Sequence, residues 1–143
     1  MKNILAAIDF SDVTEKLIEQ AKRQAKNNQA KLWLVHVASP DPDFAGFEAG
    51  PQTVRDTRAK VLHKDREKLQ KYAADIEGIE TEALTIQGPI SQTIIEQAKR
   101  LQADMIVIGS HGHGLLFHAL IGSVCEGVLK HTDIPLLIIP ERE

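Results

Sequence analysis

The 143-residue chain has a single cysteine, which excludes an internal disulfide and any cysteine-rich zinc module. It has no excess of basic residues. The formal net charge is -3, which argues against a basic nucleic-acid-binding domain. No window holds 18 or more continuous apolar residues, as a membrane-spanning helix requires, because Ser-His-Gly-His-Gly at 110–114 interrupts the longest uncharged stretch. The first residues, Met1 to Asp9, lack the length and cleavage site of a secretory signal and read as a first strand. A cytoplasmic, reduced location is the expectation. The most consequential absence is local. From Met105 to Cys125 there is no Asp, Glu, Lys or Arg in 21 positions.

Apolar residues make up 43% and charged residues 26%, the balance of a globular protein with a real core, and the length suits one domain over residues 1–143. Five of the nine glycines (Gly109, Gly112, Gly114, Gly122 and Gly127) fall within nineteen consecutive residues. That crowding overlaps the uncharged stretch and marks the first place to look for a site.

Short apolar runs alternate with helical periodicity along the whole chain. Asn3–Ile8 reads as a buried strand. A helix follows, capped by Ser11 or Asp12, with Glu15 in its first turn and Leu17, Ile18, Ala21 and Ala25 on its apolar face. Leu32–Val37 is a second strand, and Ser39–Pro51, with three of the six prolines, is a long loop. Val54, Val61, Leu62, Leu69, Tyr72 and Ile76 line one side of a charged helix over about 52–76. Its other face, with Arg55, Arg58, Lys60, Lys64, Arg66, Lys68 and Lys71, is expected to be solvated. Ile79–Ile86 is a third strand. Gly88-Pro89 marks a turn with Pro89 as the first helical residue, and Ile90, Ile94, Ala98 and Leu101 recur at helical spacing. Asp104–Gly109 is a fourth strand. Ser123 and Glu126 fit a capping box for a last helix, and Pro135–Ile139 is the fifth strand. The order β-α-β-α-β-α-β-α-β predicts an α/β Rossmann-like domain with a five-stranded parallel sheet, order 3-2-1-4-5, and helices on both faces. Ligands of such sheets bind at the carboxyl ends of the strands near the switch point, so Asp9, Val37 and Gly109 are expected to meet there.

The glycine-rich segment starts at a strand end and finishes at a helix start. Glycines let the backbone approach a ligand, and the N–H groups of a helix N-terminus attract an anion. A phosphate chain fits that description. Two familiar loops fail on spacing. A Walker loop needs Lys-Ser/Thr after its second glycine, whereas Gly114 is followed by Leu115-Leu116. A dinucleotide fingerprint belongs after the first strand, where the chain has Asp9-Phe-Ser-Asp.

The spacing Gly109-x2-Gly112-x9-Gly122-Ser123 resembles the nucleotide-binding motif Gly-x2-Gly-x9-Gly-Ser/Thr of the universal stress protein family, in its ATP-binding branch. Asp9, the His36-Val37 pair, Gly88-Pro89 and Ile134-Pro135 agree with that family, over about Lys2 to Pro140. The resemblance implies roles residue by residue. Asp9 would sit by the ribose or the metal-phosphate region, and Val37 would present backbone to the adenine edge with Ile108 packing nearby. Gly109 and Gly112 would wrap the ribose and phosphates. Gly122, Ser123 and Val124 would hold phosphate. It also implies a homodimer through the apolar edge strand Leu136–Pro140, whose self-pairing would cover an exposed edge.

The missing cations carry a further expectation. A triphosphate without Lys or Arg around it needs Mg2+ or Mn2+, held by phosphate oxygens and water with help from Asp9. The same deficit argues against fast phosphoryl transfer. The expected function is therefore an ATP-binding regulator or stress-response factor with slow hydrolysis at most. A weak ATPase or α-phosphate-cleaving enzyme, and a dimeric scaffold with an empty loop, are the alternatives. Of His111, His113 and His118, polar contact of His111 or His113 with phosphate is favoured over a zinc or nickel site, which lacks Cys or carboxylate partners nearby in sequence. Cys125 is expected to be a buried packing residue.

Overall fold

The computed structural model describes residues 1–39, 52–111 and 121–141, and of residues 52–58 the backbone alone. The elements are β1 (Asn3–Ala7), α1 (Thr14–Asn28), β2 (Lys31–Ala38), α2 (Gln52–Ala74), β3 (Thr81–Gln87), α3 (Ile90–Arg100), β4 (Met105–Gly109), α4 (Ser123–His131) and β5 (Leu136–Ile139). All five strands are parallel, in the order β3-β2-β1-β4-β5. The expected fold class and strand order are those found. Among the described residues, no helix is long and apolar enough to cross a membrane.

Strand periodicity divides the core into two layers. Ile4, Ala6 and Ile8 point to one face and pack with Leu32 and Leu34 beneath Leu17, Ile18 and Ala21 of α1 and Leu69 of α2. Leu5, Val35, Val37, Ile106 and Ile108 point to the other, beneath Ile94, Ile95 and Ala98 of α3 and Cys125 and Val128 of α4. Both faces are covered, which is why β1, β2 and β4 read as nearly continuous apolar runs. The order reverses between β1 and β4, so the connections leaving their C-terminal ends run to opposite faces of the sheet and leave a crevice between them.

Element ends differ from expectation by one or two residues, as hydrogen-bonded ends usually do. The caps differ for specific reasons. Neither Ser11 nor Asp12 caps α1: Val13 takes that place without a side-chain cap bond. Ser11 lies in a turn before it, and its carbonyl accepts the Thr14 N–H at 3.1 Å. Pro89 is the cap of α3 and not its first residue, with an extended ψ of 125°. In α4 the cap is Gly122 and Ser123 is the first helical residue, so no Ser123–Glu126 capping box forms. Val61, expected on the buried side of α2, is 52% exposed. Trp33 is only partly buried; its indole N–H donates to Asn3 Oδ1 at 3.1 Å.

The side-chain hydroxyl of Thr14 is buried without a hydrogen-bond partner among the described residues. An orphaned polar atom costs about 1–3 kcal/mol of desolvation. Thr14→Val keeps the shape and removes the hydroxyl. It should raise unfolding free energy by about 1 kcal/mol in urea denaturation, and a loss of stability would contradict this reading.

Candidate functional site

The crevice at the switch point is a cavity of about 910 Å³, within the range of small-molecule and cofactor sites. Several stretches of chain line it, four of which carry residues named from the sequence. From the end of β1 come Ile8, Asp9 and Phe10; from β2, His36, Val37 and Ala38; from β4, Ile108, Gly109 and His111. The start of α4 supplies Gly122, Ser123 and Val124. Of the residues named from sequence, Asp9, Val37, Ile108, Gly109, His111, Gly122, Ser123 and Val124 all line this one cavity. Gly112, with His113 and His118, lies outside the described residues, as does most of Ser39–Pro51.

The local geometry follows from backbone hydrogen bonding. The Ile8 N–H donates to the Val35 carbonyl at 2.8 Å, which carries the β1–β2 ladder one residue past β1. The chain then turns. Asp9 Oδ1 accepts the Ser11 N–H at 2.9 Å, an Asx-type turn, and Phe10 has a φ of 59°. On the other side, the Ser110 N–H donates to the Ile139 carbonyl at 2.9 Å, and the Ser110 carbonyl accepts the Gly122 N–H at 2.6 Å. Ser110 thereby closes the two ends of the 111–121 segment against each other, so Gly109 and Gly122 face one cavity. Ser110 Oγ and His111 Nδ1 are 3.0 Å apart. Packing at Gly109 is tight: a Cβ there would stand 3.1 Å from Val13 Cγ1 and 3.3 Å from the His111 carbonyl, so these neighbours would have to shift by a few tenths of an ångström.

The first-turn N–H groups of α4 have no carbonyl four residues back within the helix, and the helix dipole adds partial positive charge there. Glu126 reaches the same region, at the fourth helical position and not the third. Its carboxylate pairs with Lys130 at 2.9 Å, which moderates its repulsion of an anion. Among the described residues, no group of three or more His, Cys, Asp or Glu is arranged to hold a metal ion.

Phe10, His36, Asp65 and Lys68 are among the residues at this cavity that sequence reasoning did not assign to a site. Lys68 corrects the expectation that the charged face of α2 is merely solvated, for it borders the cavity. Asp65 carried a readable signal. Leu62, Asp65, Leu69, Tyr72 and Ile76 form a three-four-spaced stripe, so a carboxylate there interrupts an apolar face. His36 was the equivalent in β2, a titratable residue within Leu34-Val-His-Val37.

Cys125 is 2% exposed, and burial raises its thiol pKa, outweighing any benefit of the helix start. Alkylation by iodoacetamide at pH 7.4 should run at least tenfold slower in the folded protein than in urea. Equal rates would contradict that expectation.

The profile of the universal stress protein family matches residues 1–140. The chain belongs to the universal stress protein family. Universal stress protein A homolog 1 of Coxiella burnetii is 30% identical over 142 residues, covering 99% of this chain and 98% of that one. Among solved structures, the hypothetical protein MJ0577 superposes with a TM-score of 0.86 at 24% identity, over 99% of this universal stress protein and 97% of the other. A universal stress protein of Archaeoglobus fulgidus, solved in complex with dAMP, superposes with a TM-score of 0.62 at 22% identity, over 97% and 98% of the two chains.

Proposed function

We propose that this universal stress protein binds an adenine nucleotide, ATP with Mg2+ or Mn2+, in the switch-point cavity. It acts as a nucleotide-dependent regulator with slow hydrolysis at most. The observation that carries the reading is the convergence of Asp9, Val37, Ile108, Gly109, His111, Gly122, Ser123 and Val124 on one cavity, from four separate stretches of chain. A protein of the same fold holding dAMP is in keeping with it.

In this reading the Val37 backbone meets the adenine edge, Ile108 packs on the base, and Asp9 reaches the ribose or the metal-phosphate region. Gly109 and Gly112 follow the ribose and phosphates. Gly122, Ser123 and Val124 donate N–H groups to phosphate, with His111 as a polar contact. The donor set fits a metal carried by the nucleotide: phosphate oxygens and water supply the ligands, with Asp9 at most from the protein. Lys68 is the only lysine or arginine among the described lining residues. Phosphoryl transfer needs several positioned cations and an oriented nucleophile, so turnover should fall far below the ~10 s⁻¹ typical of enzymes. The test is the nucleotide content of the purified protein together with titration of Mg-ATP. Absence of adenine nucleotide and no binding at millimolar Mg-ATP would refute the reading.

The outer edge of β5 pairs with no other described strand of the chain, and Leu136, Leu137 and Ile138 remain only half-buried. Self-pairing of two copies along this edge would cover it. Sedimentation at micromolar concentration should give twice the chain mass.

A further inference from the structure

Asp9 sits between two residues that share one support. The carbonyl of Ile8, before it, accepts a hydrogen bond from Nδ1 of His36 at 2.7 Å. Since a carbonyl only accepts, Nδ1 carries the proton. Phe10, after Asp9, lays its ring against the same imidazole, with centroids 4.6 Å apart and planes tilted by 48°. Phe10 is also held in the left-handed region at φ 59°, which a bulky residue occupies only when its surroundings enforce it.

The imidazole is itself fixed. His36 is 8% exposed, and its Nε2 stands 3.5 Å from Asp65 Oδ2 on α2, an ion pair whenever the ring carries its second proton. Lys68, one turn further along α2, places Nζ 5.3 Å from the centre of the Phe10 ring. A continuous set of contacts thus runs from α2 through His36 to both neighbours of Asp9, and Asp9, Phe10, His36, Asp65 and Lys68 all border the cavity.

We propose that His36, clamped between the Ile8 carbonyl and Asp65, is a positioning residue: it holds the Asp9–Phe10 turn in the shape the nucleotide requires, so α2 sets the affinity of the site it borders. The inference rests on the nucleotide reading above. His36 acts through Asp9 and need not touch the ligand. Replacing a histidine that served only the core would lower stability and, where it lowered affinity, would do so independently of Asp9.

The test is a double-mutant cycle on the full chain, read as Mg-ATP affinity well below the melting temperature. His36→Phe keeps a ring and removes both polar contacts. It should weaken Mg-ATP binding five- to tenfold in the native background and cause no further loss in Asp9→Asn. Asp65→Ala should resemble His36→Phe, and Asp65→Asn, whose side-chain amide can accept from Nε2 through Oδ1 or donate to it through Nδ2, should recover most of the affinity. Where His36→Phe does not fold, the Asp65 variants carry the same cycle. Phe10→Gly gives a second readout if Asp9→Asn alone leaves no measurable binding. Glycine accepts the positive φ but removes the ring that packs on His36 and on the core layer, so affinity should fall at least fivefold when it is read at a temperature where the variant is folded. Native-like affinity in His36→Phe or Phe10→Gly, or an equal fold-loss in both backgrounds of the cycle, overturns the proposal. A native protein that binds no Mg-ATP overturns the nucleotide reading as well, whereas binding with an additive cycle removes only the role of His36.

Discussion

ATP binding should weaken at least tenfold when EDTA removes divalent metal. A triphosphate brings three to four negative charges into a cavity whose described carboxylates are Asp9, Asp65 and Glu126, against the one lysine, Lys68. The N-terminus of α4 attracts phosphate, but a helix dipole contributes only about 0.3–1 kcal/mol per charge. Repulsion between unit charges at 4 Å is roughly 4 kcal/mol at an effective dielectric constant near 20, so even one carboxylate close to the phosphates offsets the attraction of one dipole. A divalent ion bound to the phosphates reverses that balance, and tenfold in affinity corresponds to about 1.4 kcal/mol. AMP, with less charge, should lose less than ATP. Isothermal titration of both nucleotides with and without EDTA measures the difference, and an ATP affinity unchanged by EDTA would contradict the argument.

Leu69→Ala should lower unfolding free energy by about 2–5 kcal/mol, the range for truncating a buried leucine. Leu69 is fully buried and is the only such side chain among those described in α2. It packs into the layer shared with Ile4, Ala6 and Leu34, with Tyr72, Ala73 and Ile76 partly buried around it. The remainder of α2 is strongly charged, so its attachment to the sheet depends heavily on this one residue. Val61→Ala is the control: at 52% exposure it should change stability by no more than about 0.5 kcal/mol. Urea denaturation with a shared slope measures both. Because α2 also carries Asp65 and Lys68, Leu69→Ala should weaken nucleotide binding at temperatures where the protein is still folded.

The strands were readable because a strand covered on both faces must be apolar throughout, as Leu32–Val37 and Met105–Ile108 are. Right-handed crossovers then leave few ways to order five such strands. Helix starts were less legible. Ser11, Asp12 and Ser123 have side chains suited to capping, yet the caps fall on Val13 and Gly122. Asp9 had already captured the Ser11 N–H, and the Gly122 N–H was drawn to the Ser110 carbonyl. Both turns are arranged by the cavity they border more than by the helices they begin.

The glycine spacing from Gly109 to Ser123, the acid ending β1 and the alternation of elements are local properties. They follow from periodicity and backbone permissiveness, and one chain of letters contains them. The contribution of α2 is of another kind. Asp65 and Lys68 lie more than 50 residues from Asp9 and more than 40 from Gly109 in the numbering, and the break that Asp65 makes in an apolar stripe does not say which cavity it borders. They reach the cavity because Leu69 buries α2 on the α1 face of the sheet, and because His36 turns to that face while Val35 and Val37 turn to the other. Alternation along a strand can be counted from sequence. Which helix then lies over a given side chain depends on the packing of the whole sheet, and that packing brought a cation and a His–Asp pair beside a loop that has no charge of its own.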